Sequence, residues 1–144
     1  MTPFDSSQVP LSGGEVIRAF FPRSPYVVYL GMQLTGLHRD LAILTLPFQN
    51  SSITIGTTVH GGAIASLIDT AAMVAAWSGA EATASTHGTT VALTVNYLAA
   101  AQNEDIQATA RVLKRGRNLI YLDVEVTGAM GMLIAKGLVT YKLG

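Results

Sequence analysis

The second half of the chain alternates between apolar and polar residues with a period of two, which is typical of β-strands. In the first run, alternation places four apolar residues on one face: Val91, Leu93, Val95 and Tyr97. Three further runs begin near Ile106, Ile120 and Leu133. The connections at 114–118 and 128–131 have the length of hairpin turns. The pattern therefore predicts four antiparallel strands arranged as a meander.

A different pattern precedes these strands. The segment from Ala63 to Trp77 is rich in Ala, Leu and Met, which favour helices, and it is apolar on nearly every side. Such a helix must be enclosed by other structure. The Ser78-Gly79 pair predicts its end, because glycine commonly follows the last helical turn.

The N-terminal third predicts smaller elements. Residues 15–21 indicate a short amphipathic helix that stops at Pro22. Residues 26–34 and 41–47 have strand composition, and 35–40 supplies the turn between them.

An antiparallel sheet with one enclosed helix must curve around that helix to bury it. We therefore predict a single α+β domain over residues 1–144, in which segment 1–22 carries the short helix. Its main body is expected to be a curved antiparallel sheet of about six strands around one long central helix.

Composition narrows the function classes. The chain has 144 residues and no cysteine, which excludes disulfides and cysteine-built zinc sites. Nine basic residues balance nine acidic ones, so nothing resembles the basic surface of a nucleic-acid-binding protein. Only 12% of the residues are charged, against about 25% in an average domain. We therefore expect part of the surface to be covered by further copies of the chain.

Two features bear on location. The longest apolar stretch contains Asp69 and is shorter than the ~20 residues of a membrane-spanning helix. The first residues lack the basic and apolar regions of a secretory signal. We expect a cytoplasmic protein that does not interact with a membrane.

Candidate chemistry lies at the start and in the middle of the central helix. Gly61 and Gly62 stand where the helix begins, and the free backbone N–H groups there can polarise a carbonyl. Two glycines could equally permit only a tight turn. Asp69 is the one ionisable residue between Gly61 and Ser78. A carboxylate in such an apolar segment can act as a base or nucleophile, or it can be a hydrogen-bonded core residue.

The spacing of these groups has a geometric consequence. Gly61 and Asp69 are eight residues apart, which is about 12 Å along a helix. A reacting atom must lie about 3 Å from both donor and base, so one helix cannot supply both groups to one site. If they cooperate, the two groups come from different subunits of an isologous dimer with two composite sites.

Three segments together resemble a known family. The first runs from His60-Gly61-Gly62 to Asp69-Thr70-Ala71, the second is Asn96-Tyr97-Leu98, and the third is the basic hairpin 114–117. They resemble the hotdog-fold thioesterases of the PaaI type, within the acyl-CoA thioesterase superfamily. The resemblance runs from about Leu46 to Tyr141.

The resemblance implies a role for each matching residue. Asp69 corresponds to the general base or nucleophile, and the Gly61 N–H to the donor that polarises the thioester carbonyl. His60 corresponds to a positioning residue at the helix start. Thr90 corresponds to a hydroxyl residue that helps to orient the attacking water.

Further residues correspond to substrate contacts. Gly62 and Thr54 lie in the segment expected to contact the substrate near the helix start. Arg115, Gly116 and Arg117 correspond to the hairpin that would hold the phosphates of coenzyme A, and guanidinium groups suit this ligand. The same hairpin could instead be a solvated turn. His87, Trp77 and Tyr97 are interpreted as packing residues.

The chain departs from the family pattern at three places. Thr54 stands where the family frequently has Asn. The glycine usually found three residues before the histidine is displaced to Gly56. Ala99-Ala100 replaces an Arg-Pro pair.

We therefore expect hydrolysis of an acyl-CoA or aryl-CoA thioester to free acid and coenzyme A. Coenzyme A would be part of the substrate, and neither a cofactor nor a metal is expected, since the three histidines show no ligand spacing. A homodimer is implied, with a tetramer left open. The alternatives are a non-catalytic acyl-CoA-binding domain and an enoyl hydratase on the same fold.

Overall fold

The computed structural model describes residues 11–144. Its helices are Gly13–Phe20 (α1), Pro25–Leu30 (α2) and Gly61–Ser78 (α3), with 3-10 turns at Phe21–Arg23 and Asn50–Ser52. Its strands are Leu11–Ser12 (β1), Gln33–His38 (β2), Leu41–Leu46 (β3), Ile53–Ile55 (β4), Thr58–Val59 (β5), Glu81–Ala82 (β6), Gly88–Tyr97 (β7), Ile106–Arg115 (β8), Leu119–Thr127 (β9) and Leu133–Leu143 (β10).

Six strands form the main sheet in the order β2-β3-β8-β9-β10-β7, and every pairing is antiparallel. The predicted meander is confirmed for β8 to β10. It is wrong for β7, which lies at an edge beside β10 instead of beside β8. Strands β10 and β9 lie between β7 and β8, so the connection over residues 98–105 crosses both of them. The remaining short strands form two small ladders, β1 with β6 and β4 with β5.

The long helix α3 packs on the main sheet and confirms the predicted central helix. It contacts β3 and each strand from β7 to β10. The helix comes so close to β10 that a Cβ atom at Gly137 would lie 2.6 Å from Ile68 Cγ2. Its length and composition would suffice to span a membrane, but half of that window is buried within the described fold. The buried residues of α3 are mostly small or aliphatic: Ala63, Ile64, Leu67, Ile68, Ala71, Ala72, Val74, Ala75 and Ala76.

The strand predicted over residues 26–34 is wrong except at its end, because α2 covers residues up to Leu30 and β2 begins only at Gln33. The turn predicted over 35–40 is wrong up to His38, which is the last residue of β2. Pro25 occupies the first turn of α2, where its missing N–H group is not needed. Gly31 ends it with φ 72°, a left-handed conformation that glycine adopts without steric cost. These two end signals outweigh the strand preference of the Val and Tyr residues between them. The predicted helix near 15–21 and the strand near 41–47 are confirmed as α1 and β3.

Strand β7 contains an irregularity that changes which residues face α3. Against β10, Ala92 pairs with Thr140 and Thr90 pairs with Tyr141, so that Val91 has no directly opposite partner. Such a bulge inserts one residue and inverts the alternation beyond it. The face shared by Leu93, Val95 and Tyr97 is therefore continued by Thr90, and the prediction that Val91 continues it is wrong.

Candidate active site

One face of α3 borders a cleft that contains Asp69. Because residues four apart lie on the same side of a helix, Asp69, Met73 and Trp77 form a row along it. The cleft has a volume of about 570 Å³, and we call it the Asp69 cleft. It is lined by residues of α1, α3, β7, the segment before β7, and β10: Val16, Ile17, Phe20, Asp69, Thr70, Met73, Trp77, Thr86, His87, Gly88, Thr89, Thr90 and Tyr141.

The Asp69 carboxylate is held by one short hydrogen bond. Thr90 Oγ1 donates to Asp69 Oδ1 over 2.6 Å, a length expected of a hydroxyl bound to a charged oxygen. Within residues 11–144, Asp69 Oδ2 accepts no hydrogen bond from another side chain or the backbone. The half-buried carboxylate is thus oriented through one oxygen, and the other is available to a ligand.

A second polar pair lies further along the same cleft. Trp77 Nε1 donates to the Tyr141 hydroxyl over 2.9 Å, and Tyr141 is only 4% exposed. Gly88 packs on this hydroxyl so closely that a Cβ atom there would lie 2.2 Å from it. Burial raises the pKa of Tyr141, the hydrogen bond from Trp77 lowers it, and the charge of Asp69 raises it. Tyr141 was not among the sequence candidates, because it reads as an ordinary strand residue.

At its N-terminus, α3 leaves one backbone donor free. His60 Nδ1 accepts the Gly62 N–H over 2.7 Å, and the His60 carbonyl accepts from Ala63 and Ile64. The Gly61 N–H has no acceptor among the described residues. His60 is therefore the helix cap, and in its neutral form it carries its proton on Nε2. A Cβ atom at Gly62 would lie 2.8 Å from His60 Nδ1, so this cap requires glycine there.

Tyr97 completes this end of the helix. Its hydroxyl donates to the Gly61 carbonyl over 2.8 Å, which ties the last residue of β7 to the first residue of α3. Its interpretation as a packing residue missed this contact. The sequence signal available was its place in the motif Asn96-Tyr97-Leu98.

The helix start borders its own cleft of about 420 Å³, which we call the Gly61 cleft. Thr54 and Gly61 both line it, and Asp69 does not. The candidate residues thus fall into two groups within one chain, Asp69 with Thr90 and Gly61 with Thr54. The Gly61 cleft is lined by Thr54, Thr58, Val59, Gly61, Ile64, Tyr97, Leu98, Ala99, Ala100 and Ala101.

The basic hairpin divides into two environments. Arg115 Nη2 donates to Asp40 Oδ1 over 2.7 Å and to the Ala76 carbonyl over 2.9 Å. It therefore links the turn between β2 and β3 to the C-terminal turn of α3, where a cation is favoured. Arg117 is exposed, and the described part of the chain offers it no ion-pair partner. The Gly116 N–H is bonded to the Leu119 carbonyl across the turn.

A metal-binding cluster of three or more His, Asp or Glu side chains is not found among residues 11–144. The polar side chains that line the two clefts are Thr and Tyr hydroxyls, the imidazole of His87, the indole of Trp77 and the single carboxylate of Asp69.

A main antiparallel sheet packed on one long central helix is the hotdog fold. A family model described as the thioesterase superfamily matches residues 56–135, which include α3 and the strands from β7 to the start of β10. The chain therefore belongs to the thioesterase superfamily.

Similar proteins carry related names. Human acyl-coenzyme A thioesterase 13 is 39% identical over 92 residues, which cover 60% of this chain and 61% of that protein; the chain thus spans about three fifths of that relative. The medium/long-chain acyl-CoA thioesterase YigI of Escherichia coli K12 is 29% identical over 144 residues, covering 87% of this chain and 89% of that protein. A thioesterase family protein from Silicibacter pomeroyi superposes with a TM-score of 0.84 at 25% identity, covering 91% and 97% of the two chains.

Proposed function

We propose that the protein hydrolyses acyl-CoA thioesters. The observation that carries the proposal is the Asp69 carboxylate, which faces a cleft with one oxygen bound by Thr90 and the other available. Membership of the thioesterase superfamily and the names of the two curated relatives support the same reaction. A domain that only binds acyl-CoA would have no need of an oriented carboxylate at this position.

The donor for the thioester carbonyl would be the Gly61 N–H of a second subunit. In one chain, Gly61 and Asp69 border different clefts and lie about 12 Å apart along α3. Two copies related by a two-fold axis would bring the Asp69 cleft of each chain to the Gly61 cleft of the other. Each dimer would then contain two equivalent composite sites.

Strand β7 is the surface that we propose for this dimer. It is an edge strand of ten residues, and its apolar residues are well exposed, with Val91 at 52% and Tyr97 at 53%. A long apolar edge is a template for pairing with another chain. Thr90 binds Asp69 near one end of β7, and Tyr97 binds Gly61 at the other end. Antiparallel pairing of two β7 strands about a point near Leu93 and Thr94 would therefore place each Thr90 near the partner's Tyr97.

The reaction follows from these positions. The Gly61 N–H would bind the thioester carbonyl oxygen and stabilise the negative charge that develops on it. Asp69 would either remove a proton from water as the water attacks the carbonyl carbon, or attack that carbon itself and form an anhydride that water then cleaves. In both routes the carbon–sulfur bond breaks, and the products are a carboxylic acid and the coenzyme A thiol. Thr90 would hold Asp69 in place. His60 would cap the helix through the Gly62 N–H and leave the Gly61 N–H to bind the substrate.

The nucleotide part of coenzyme A would lie at the basic hairpin. Arg117 is exposed and would bind its phosphates, and the backbone at Gly116 would lie beside them. Arg115 Nη2 already binds Asp40 and a helix carbonyl, and its Nε is buried, so its predicted contact with phosphate would have to use Nη1. Gly62 and Thr54 are expected to border the pantetheine near the helix start. The cytoplasmic location, the absence of a cofactor and a dimer-based tetramer stay predictions.

A thiol-release assay over a panel of acyl- and aryl-CoA esters tests the proposal. We expect wild type and the surface control Glu81→Gln to release thiol from at least one ester, and Asp69→Asn to be slower by at least a hundredfold. No thiol release by wild type from any ester would favour the binding-domain alternative. Full activity of Asp69→Asn would show that the assigned carboxylate is wrong.

The β7 interface can be tested by cross-linking, because the native chain has no cysteine. We expect Leu93→Cys or Thr94→Cys to form an intersubunit disulfide under oxidation, because residues near the two-fold axis approach within disulfide range. Leu113→Cys, exposed on β8, is the control and should stay unlinked. A strictly monomeric wild type in light scattering would contradict the composite site.

A further inference from the structure

The Asp69 cleft has a direction set by α3. Asp69 stands at one end of the row on the helix face, Met73 lies one turn further, and Trp77 lies at the other end. Helix α1 also lines this cleft, with the apolar side chains Val16 and Phe20. The cleft thus runs from a carboxylate, along an apolar wall, to an indole ring.

Two of the residues that line this cleft, Trp77 and Tyr141, form a hydrogen-bonded pair. The hydrogen bond between Trp77 Nε1 and the Tyr141 hydroxyl holds the two aromatic side chains together. Gly88 backs the hydroxyl at a distance that leaves no room for a side chain. Tyr141 is buried, and its strand position opposite Thr90 is fixed by the sheet. Because this hydrogen bond holds both rings, a ligand cannot displace them without breaking a partly buried hydrogen bond.

We infer that the Trp77–Tyr141 pair sets the upper limit on the length of the acyl chain. This inference rests on the proposed function, which places the thioester carbonyl at Asp69. From there the acyl chain would lie along Met73 and α1 and end at the aromatic pair. The Trp77 backbone lies about 12 Å beyond that of Asp69 along the helix, whereas Tyr141 lies opposite Thr90. The pair therefore limits the acyl chain to at most roughly ten carbon atoms at ~1.25 Å per extended carbon–carbon bond. The substrates would therefore be acyl-CoA esters whose acyl chains have at most about ten carbon atoms.

The test is the chain-length profile of kcat/KM from butanoyl- to hexadecanoyl-CoA. For wild type, we expect kcat/KM to rise about fourfold per added methylene and to stop rising at or before about ten carbons. Trp77→Leu should move this limit to longer chains and raise the dodecanoyl-to-octanoyl ratio at least tenfold. Val16→Phe, which fills the cleft from α1, should move the limit to shorter chains.

Two controls keep the outcomes distinct. Leu113→Ala is exposed on β8, away from the cleft lining, and its profile should match that of wild type. Thermal denaturation reports whether each variant is folded. If Trp77→Leu does not fold, Val16→Phe alone tests the inference. An active wild type whose limit is unchanged in the folded variants would overturn the inference and leave the proposed hydrolysis intact. A wild type inactive on every ester would overturn the proposed function, and the inference with it.

Discussion

Replacement of Thr90 by Val is the sharpest single test of the Asp69 assignment. The two side chains have nearly the same shape, so the change removes the hydroxyl that donates to Asp69 Oδ1 over 2.6 Å with little change in packing. A hydrogen bond to a charged group contributes about 1.5–3 kcal/mol. If that bond orients the reacting carboxylate, its loss should lower kcat/KM by about 10- to 150-fold.

Thiol release by wild type, Thr90→Val and Thr90→Ser would measure this effect. Thr90→Ser keeps the hydroxyl and should stay within a few fold of wild type. In an Asp69→Asn background, Thr90→Val should have little further effect, since residues that act as one unit are not additive. Wild-type activity of Thr90→Val, or an undiminished effect in the Asp69→Asn background, would refute the coupling between the two side chains.

Three further predictions concern the supports of the site. Gly62→Ala should lower the free energy of unfolding by about 1 kcal/mol, because its Cβ would displace the His60 cap. Thermal denaturation measures this change. Gly14→Ala is the control that should be tolerated, because a Cβ atom there meets only ordinary contacts. Arg115→Met should cost about 1–2 kcal/mol of stability through lost contacts with Asp40 and Ala76. Arg117→Ala should leave the melting temperature unchanged and raise KM for acyl-CoA but not for acyl-pantetheine. An unaltered melting temperature for Arg115→Met would contradict the structural role given to Arg115. Burial raises the pKa of Tyr141 above its ordinary value of 10.0, so the unfolded chain loses this proton first as the pH rises. The contribution of Tyr141 to stability should therefore be fully present below about pH 10 and be lost above it. In denaturant titrations Tyr141→Phe should show a smaller fall of stability above that pH than wild type, and an identical fall would refute the assignment.

The sequence predicted the parts of the fold whose patterns are long and regular. The apolar run of α3 and the alternating runs of β8, β9 and β10 were each long enough to identify the element. Residues 26–34 misled because Val and Tyr favour strands, whereas Pro25 and Gly31 fixed a short helix between them. The place of β7 beside β10 could not be read from the chain, because strand order depends on contacts between distant residues.

Motifs and helix geometry predicted part of the site, but not the contacts between residues that are distant in sequence. The spacing of Gly61 and Asp69 on one helix already indicated that one chain cannot bring them together. The proximity of Thr90 to Asp69 depends on the bulge at Val91, since regular alternation along β7 would turn Thr90 to the other face. The ion pair of Arg115 with Asp40 and the hydrogen bond of Trp77 with Tyr141 join residues 75 and 64 positions apart, which no local pattern reveals.

Subunit complementation tests the composite site most directly. Asp69→Asn removes the carboxylate, and Gly61→Pro removes the N–H donor. The first position of a helix accepts proline. The preceding residue, His60, has φ −62° and ψ 134°, a conformation that suits a following proline. Each variant alone should be nearly inactive. After the two are unfolded together and refolded, half of the dimers should be mixed, and each mixed dimer should carry one intact site of two. Recovery of about a quarter of wild-type activity is expected for a site shared between subunits, and no recovery in mixed dimers would contradict it.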